Sequence, residues 1–201
     1  MQQHFRMERS VFALLGFVLV SLCKGQTAQT FCQEKPCPEF TLLESNKDFE
    51  TRLYSDTLWI TTKIASRTLH GLIAANSRLN HFCETQKQAG YTTPDTWPVL
   101  ITVTKDEDEE NDFMSFFVPN NTAMAEISVP CVKLQTRPGG TVYVRIFHTI
   151  PNLTSGRTNR EKLREDLTRA GKHFDANTYS AAAYTTYWAL SHYSEIWMSA
   201  V

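Results

Sequence analysis

The chain has 201 residues, of which 42% are hydrophobic and 20% are charged. This composition is typical of a folded globular protein, and the length fits one domain with a sizeable core. The 20 basic residues nearly balance the 21 acidic ones, for a formal net charge of −1. The balance gives no reason to expect a nucleic acid or an anionic membrane as partner.

The N-terminus predicts a secretory signal peptide over residues 1–25. Arg6 and Arg9 precede an apolar run over 11–23 that is too short to span a bilayer. Gly25 supplies a small residue at the cleavage point. A buried core helix is the alternative, which the N-terminal position and the basic flank disfavour. No later stretch is long and apolar enough to form an anchor, so we expect a soluble protein that is secreted to the extracellular space.

The mature chain is predicted to comprise a cysteine-bearing extension over residues 26–39 and a single domain over 40–201. Cys23 falls in the signal peptide, which leaves four cysteines: Cys32, Cys37, Cys83 and Cys131. Four cysteines in an oxidising compartment suggest two disulfides, with three possible pairings. We favour Cys32–Cys37, which closes a short loop around Pro36, and Cys83–Cys131, which ties a helix to the sheet. A zinc site is the alternative, but the usual C-x-x-C spacing is absent.

The first half of the domain predicts two strands, a helix and a third strand. Residues 49–54 and 58–62 are rich in β-branched and aromatic side chains, and a helical pattern follows over about 67–83. An apolar stripe with helical spacing predicts the buried face of this helix. The stripe consists of Leu69, Leu72, Ile73, Asn76, Leu79, Asn80 and Cys83. After a polar break, residues 97–104 predict the next strand.

The middle of the chain predicts a further strand between polar connections. An acidic tract over residues 106–112 precedes the strand candidate at 113–118. The tract lacks the ordered spacing of a calcium loop, so we interpret it as a solvated connection. Two N-x-S/T sequons, at Asn120 and Asn152, fall in polar, turn-like stretches and predict glycan sites in a secreted chain.

The second half of the domain repeats the strand–helix–strand order. A turn signal at residues 138–140 introduces a strand over 141–147, and a heavily charged helix is predicted over about 160–173. Strand candidates follow at 179–188 and 195–198. Two similar modules predict one closed, pseudo-symmetric sheet structure and not a string of unrelated parts.

The sequence contains no recognisable catalytic arrangement. It has no G-x-S-x-G elbow, no H-E-x-x-H helix and no glycine-rich phosphate loop, so we do not expect an enzyme. His70 and His81 are eleven residues apart on the first helix and fall on one side of it, with Arg78. The strip suits the carboxylates of an anionic ligand, and a solvated polar face is the alternative.

Ordered blocks of this sequence resemble the SOUL heme-binding protein family. Residues 49–54, Phe-Glu-Thr-Arg-Leu-Tyr, are similar to the family's Y-E-V-R-x-Y block. Further similar blocks lie at residues 58–62, 78–82, 141–147, 174–175, 179, 182–184 and 194–198. The resemblance covers residues 38–201 and rests on the order and spacing of the blocks.

The resemblance implies an α+β fold, a distorted β-barrel of two pseudo-symmetric halves, each with a helix packed outside the sheet. It also implies non-covalent binding of heme or a related porphyrin, without turnover, on a shallow apolar surface beside the first helix. Arg78 and His81 then become candidate contacts for the heme propionates or iron. Leu53 stands where some members have a histidine proposed as the axial ligand. The iron ligand would therefore be His81 or another side chain, or the porphyrin would be held by apolar contact.

These observations lead to one functional hypothesis and one alternative. The hypothesis is a secreted protein that sequesters or carries heme or another small-molecule tetrapyrrole. The alternative is an extracellular protein-interaction module on the same fold that has lost heme binding. Because the second helix offers a charged face without a ligand-like strip, we expect ligand binding in the first half.

Overall fold

The computed structural model describes residues 30–93, 95–104, 112–126, 128–149, 152–186 and 189–201. The predicted signal peptide and nearly all of the acidic tract lie outside the described residues. Within the described part of the chain, no helix is long and apolar enough to cross a membrane.

The described residues form nine β-strands and two α-helices after a short 3-10 helix at Thr30–Cys32. The strands are β1 (Phe40–Ser45), β2 (Glu50–Tyr54), β3 (Thr57–Lys63), β4 (Val99–Thr104), β5 (Phe113–Val118), β6 (Val132–Arg137), β7 (Gly140–Phe147), β8 (Thr178–Ala183) and β9 (Ser194–Ser199). The helices are α1 (Leu69–Gln88), between β3 and β4, and α2 (Leu153–Arg169), between β7 and β8.

All nine strands form one antiparallel sheet in the order β1-β2-β7-β9-β8-β4-β5-β3-β6. Apart from β1, the order is symmetric about its centre, so that β2-β3-α1-β4-β5 corresponds element by element to β6-β7-α2-β8-β9. The first strand of each half pairs with the other half: β2 pairs with β7, and β6 pairs with β3. The predicted α+β fold of two pseudo-symmetric halves is confirmed. The sheet curls into a half-barrel, however, because its end strands β1 and β6 do not pair with each other.

The helices cover different parts of one sheet face. α1 packs against β3, β5 and β6, and α2 packs against β7 and β9. A core cluster with Leu79 and Phe82 lies beneath α1, and a second with Leu163 and Leu167 lies beneath α2. An aromatic cluster that includes Trp197 fills the opposite, concave face. The centre of the helical face, at β4 and β8, therefore lies between the two helices.

The buried face of α1 differs from the predicted stripe. Its buried residues are Gly71, Ala75, Leu79, Phe82 and Gln86, whereas Leu69 and Ile73 are 68% and 54% exposed. Gly71 lies against the segment that precedes the helix, where an added Cβ would collide with the backbone of Ser66. The buried face therefore includes two small residues, Gly71 and Ala75, and leaves the larger Leu69 and Ile73 outside it.

The second helix begins seven residues earlier than predicted. Asn152 is its N-cap, and its side chain accepts a hydrogen bond from the backbone N–H of Ser155 at 2.8 Å. The hydroxyl of Ser155 accepts one in return from the backbone N–H of Asn152 at 3.0 Å, which completes a capping box. The seven added residues make about two turns and include Arg157.

Candidate functional site

A groove with a volume of about 300 Å³ lies between the two helices, over the centre of the sheet. Its lining residues come from both halves of the molecule: Ile64, Arg67, Leu72, Ile101, Val103, Thr104, Asp112, Thr154, Arg157, Arg160 and Tyr179. This volume is at the lower end of the range for small-molecule sites. We call this feature the inter-helix groove.

The floor and one wall of the inter-helix groove are apolar. Ile101 and Val103 line it from β4, and Leu72 lines it from α1. Leu69 and Ile73 flank Leu72 on the same side of the helix and are largely exposed. The apolar surface of the groove therefore continues onto the exposed flank of α1.

The opposite wall of the groove is basic. Arg157 is exposed, and no carboxylate of the described residues pairs with it. The guanidinium of Arg160 lies over the ring of Tyr179, 5.1 Å from its centroid, and one of its nitrogens is 3.1 Å from a carboxylate oxygen of Glu161. Glu161 is half exposed, so this ion pair contributes little. Burial raises the pKa of Tyr179, and the positive charge of Arg160 partly opposes that change.

A partly buried ion pair lies at the base of the groove, with Asp112 buried and the side chain of Arg67 33% exposed. The guanidinium of Arg67 donates from Nε to one oxygen of Asp112 at 2.6 Å and from Nη2 to the other at 3.1 Å. Arg67 Nη2 also donates to the carbonyl of Thr104 at 2.7 Å, and Asp112 accepts from the backbone N–H of Thr104 at 3.1 Å. These contacts join the segment that precedes α1 to the end of β4.

The strip of Arg78 and His81 lies on the other side of α1. Nine residues separate Leu72 from His81, which is two and a half helical turns, so the two side chains leave opposite faces. Arg78 donates from Nε to Thr62 Oγ1 at 3.0 Å and from Nη2 to the carbonyl of Lys63, and both acceptors belong to β3. His81 is exposed. Neither Arg78 nor His81 lines the groove, and their predicted contact with heme stays a prediction.

Leu53, which stands where some SOUL proteins have a histidine, is also remote from the groove. It lies on β2, is 43% exposed, and pairs in register with Thr41 and Thr141 at the far end of the sheet. The structure therefore separates the position of the family's proposed iron ligand from the inter-helix groove.

One of the two predicted disulfides is present. Cys32 and Cys37 are bonded, whereas Cys83 and Cys131 are free thiols, so the predicted Cys83–Cys131 pairing is wrong for this structure. Cys83 packs against the core beneath α1, and burial raises the pKa of its thiol. Cys131 is exposed at the turn before β6. One thiol faces the core and the other faces solvent, which accounts for the missing bond.

Both predicted glycan sites are on the surface. Asn120 is exposed in the turn after β5, and Asn152 is exposed at the start of α2. Thr154, the third residue of the second sequon, lines the inter-helix groove. Attachment of a glycan at either position stays a prediction.

The concave face holds a buried ionic network that the sequence did not reveal. Glu195 is fully buried and forms an ion pair with Arg52, with Oε1 and Nη1 2.9 Å apart. Tyr184, Tyr193 and Trp197 also donate to Glu195, at 3.0, 3.0 and 2.6 Å. Burial opposes the charge on Arg52, but Glu195 holds the pKa of Arg52 above its usual value. The network satisfies both carboxylate oxygens and closes the concave core.

The described residues contain no cluster of three or more His, Cys, Asp or Glu side chains arranged to hold a metal ion.

The family comparison identifies the chain. The model of the SOUL heme-binding protein family matches residues 35–199, so the chain belongs to the SOUL heme-binding protein family. No curated protein matches the sequence.

Solved structures show the same fold at low sequence identity. EcmrR in a cryo-EM complex with DNA has a TM-score of 0.54 at 14% identity, covering 78% of this chain and 59% of that one. The EcmrR C-terminal domain has a TM-score of 0.52 at 12% identity, covering 76% and 98%. A hydrolase from Listeria innocua has a TM-score of 0.52 at 8% identity, covering 79% and 94%. These similarities establish the fold alone.

Proposed function

We propose that this protein binds heme or a related tetrapyrrole, non-covalently and without turnover, in the inter-helix groove. The observation that carries the proposal is the pairing of an apolar floor with two arginines on one wall. A tetrapyrrole with propionates is a flat apolar body with an anionic edge, and the two walls of the groove match these two parts. Membership of the SOUL heme-binding protein family supports the same class of ligand.

The lining residues fit the organic part of heme. Leu72, Ile101 and Val103 would contact the macrocycle, and the exposed Leu69 and Ile73 extend the apolar surface beyond the groove. A groove of about 300 Å³ does not enclose a porphyrin, so part of the ligand would remain outside it. The propionates would pair with Arg157 and Arg160 in charge-assisted hydrogen bonds.

The fit to the iron is weaker than the fit to the porphyrin. Among the described residues that line the groove there is no histidine, methionine or cysteine, and Tyr179 supplies the one phenol. A tyrosine ligates heme iron as the phenolate, whereas burial raises the pKa of Tyr179 and favours the neutral phenol. Recognition therefore depends on the macrocycle and the propionates, and a metal-free porphyrin should bind about as well as hemin.

The proposal places this activity outside the cell. Its support is the signal-peptide pattern over residues 1–25 and the Cys32–Cys37 disulfide, since disulfides persist in oxidising compartments. A binding protein in that location would sequester or carry its ligand.

The test is a titration of the mature chain with hemin, followed by the Soret band, and a parallel titration with metal-free protoporphyrin IX, followed by fluorescence. Both ligands should saturate. Changing Arg157 and Arg160 together to Met should weaken the affinity for each ligand by about tenfold or more. Both propionate contacts are then lost, while most of the apolar stems of the two side chains remain. Protoporphyrin dimethyl ester, which lacks the anionic edge, should bind the unaltered chain with a similar deficit.

The matched control is His81→Ala, which changes an exposed side chain on the opposite face of α1 and should leave both affinities unchanged. A loss with His81→Ala, but not with the arginine pair, would place the ligand on the other face of α1 and overturn the proposed site. Absence of saturable binding by either porphyrin would overturn the function itself and favour an interaction module.

A further inference from the structure

A second cavity opens on the concave face of the sheet, away from the inter-helix groove. Its volume is about 300 Å³, and it shares no lining residue with the groove. Three aromatic side chains line it: Tyr54 from β2, Trp59 from β3 and Trp197 from β9. The turn between β6 and β7 closes one side and brings Arg137 into the lining.

Arg137 is the chemically distinctive residue of this cavity. Among the described residues, its guanidinium has one hydrogen bond, from Nη1 to Ser180 Oγ at 3.1 Å, and one ring contact, with Trp197 at 5.5 Å. No ion pair joins it to a carboxylate of the described residues. A guanidinium has five N–H donors, so most of its hydrogen-bonding capacity is directed to no protein acceptor.

By contrast, the guanidinium of Arg52, which lies in the same core, has carboxylate partners. Arg52 forms ion pairs with Glu50 and Glu195, at 2.6 and 2.9 Å. The carboxylate of Glu195 already accepts from Arg52 and three aromatic donors, so it is saturated. Burial lowers the pKa of Arg137, in line with a positive charge that lacks a nearby anion. The side chain of Arg137 is only partly exposed. A charge that is partly withdrawn from water without a partner is costly, and an anion from outside the chain would reduce that cost.

We propose that this concave cavity binds a small aromatic carboxylate, whose carboxylate pairs with Arg137 and whose ring packs against Trp59, Tyr54 and Trp197. Arginine binds carboxylates through two parallel N–H···O bonds, and the unused donors of Arg137 suit that arrangement. Aromatic rings prefer offset or edge-to-face contacts with other rings, which three rings around one cavity provide. The cavity, at about 300 Å³, is large enough to enclose one or two fused rings. The site shares no lining residue with the inter-helix groove, and the ligand proposed for it is a small aromatic carboxylate.

The experiment uses 2-naphthoate as the probe and the mature chain, with affinity measured by calorimetry and by the indole N–H resonances of Trp59 and Trp197. The neutral isostere 2-naphthamide tests the charge on the unaltered protein. We expect saturable binding of 2-naphthoate and at least tenfold weaker binding of the amide. Arg137→Met should weaken the carboxylate at least tenfold while leaving the amide unchanged.

The matched control is Lys133→Met, which removes a cation from the same strand and the same side of it but outside the cavity; it should not alter binding. If Arg137→Met does not fold, the comparison of carboxylate with amide on the unaltered chain still decides the question. Equal affinity for the two probes, no saturable binding of 2-naphthoate, or equal losses in the Arg137 and Lys133 variants would each overturn the proposal. Binding of naphthoate with hemin already present is expected, since the two sites lie on opposite faces of the sheet.

Discussion

Replacing Arg52 by Met tests whether the Arg52–Glu195 pair holds the concave core together. Arg52 is 1% exposed and Glu195 is fully buried, so solvent cannot screen either charge. The variant keeps much of the apolar stem of the arginine but removes its guanidinium from Glu195. Tyr184, Tyr193 and Trp197 would still donate to the carboxylate, yet no positive charge would balance it.

The expected loss is large for one substitution. Removing one partner of a buried ion pair costs about 3–5 kcal/mol, because the other charge stays buried. For a domain of this size, each kcal/mol lowers Tm by about 2–4 °C, so the midpoint should fall by about 6–20 °C. The double variant with Glu195→Gln should lose less than the sum of the two single variants, because it leaves no unpaired charge at this position.

Urea unfolding, followed by tryptophan fluorescence and circular dichroism, measures these free energies. Arg169→Met is the control, since Arg169 is 69% exposed and its 2.9 Å pair with Asp166 should contribute less than about 1 kcal/mol. A loss below about 1 kcal/mol for Arg52→Met, or strict additivity in the double variant, would refute the assigned role of the pair.

Two further predictions concern a buried tyrosine and the start of α2. Burial and the nearby Glu195 raise the pKa of Tyr184 in the folded protein. As the pH rises, the unfolded chain therefore loses the tyrosine proton at a lower pH than the folded chain does. Above about pH 10 the free energy of unfolding should fall, by up to about 1.4 kcal/mol per pH unit for Tyr184. In the Tyr184→Phe variant, the urea midpoint should fall less steeply with rising pH. Equal slopes for the variant and the unaltered chain would contradict the reasoning. In secreting cells, the product should begin after Gly25 and carry a glycan on Asn152, seen as a mass difference after enzymatic deglycosylation. Asn152→Asp should remove that glycan and keep the cap, while Asn152→Ala should also cost about 1 kcal/mol; retention of residues 1–25 or an unchanged mass would contradict this.

The sequence predicted the architecture because strands and a repeated order are local signals. Runs of β-branched and aromatic residues predicted β2, β3, β4 and β7, and the repeated module predicted the symmetric sheet. The buried face of α1 was predicted wrongly, since Gly71 and Ala75 carry little hydrophobic signal although both are buried. Whether the sheet closes depends on the pairing of its two end strands, which no local pattern encodes.

The inter-helix groove and the concave cavity were harder to predict, because the residues that line each of them come from distant parts of the chain. Leu72 and Arg157 meet across the inter-helix groove only because β4 and β8 are neighbours in the sheet. The second helix was expected to lack a ligand-like strip, but the two turns added at its start, after the Asn152 cap, supply Arg157. Glu195 lies in β9, five of whose six residues are buried, although an acidic side chain is almost never fully buried unless it is paired. Its burial is explained by Arg52 on β2 and by the three aromatic donors.

The exchange of first strands between the halves makes each half incomplete without the other. Thr51 lies opposite Tyr143, and Ile60 lies opposite Leu134, so each half donates a strand to complete the sheet of its counterpart. Neither half can bury its sheet edge until the chain beyond residue 130 has been synthesised, and folding must await these distant pairings. A single half with this pairing could complete its sheet only by exchanging its first strand with a second copy. Within one chain the two halves contribute differently, since α1 lines the groove with Leu72 and α2 lines it with Arg157 and Arg160.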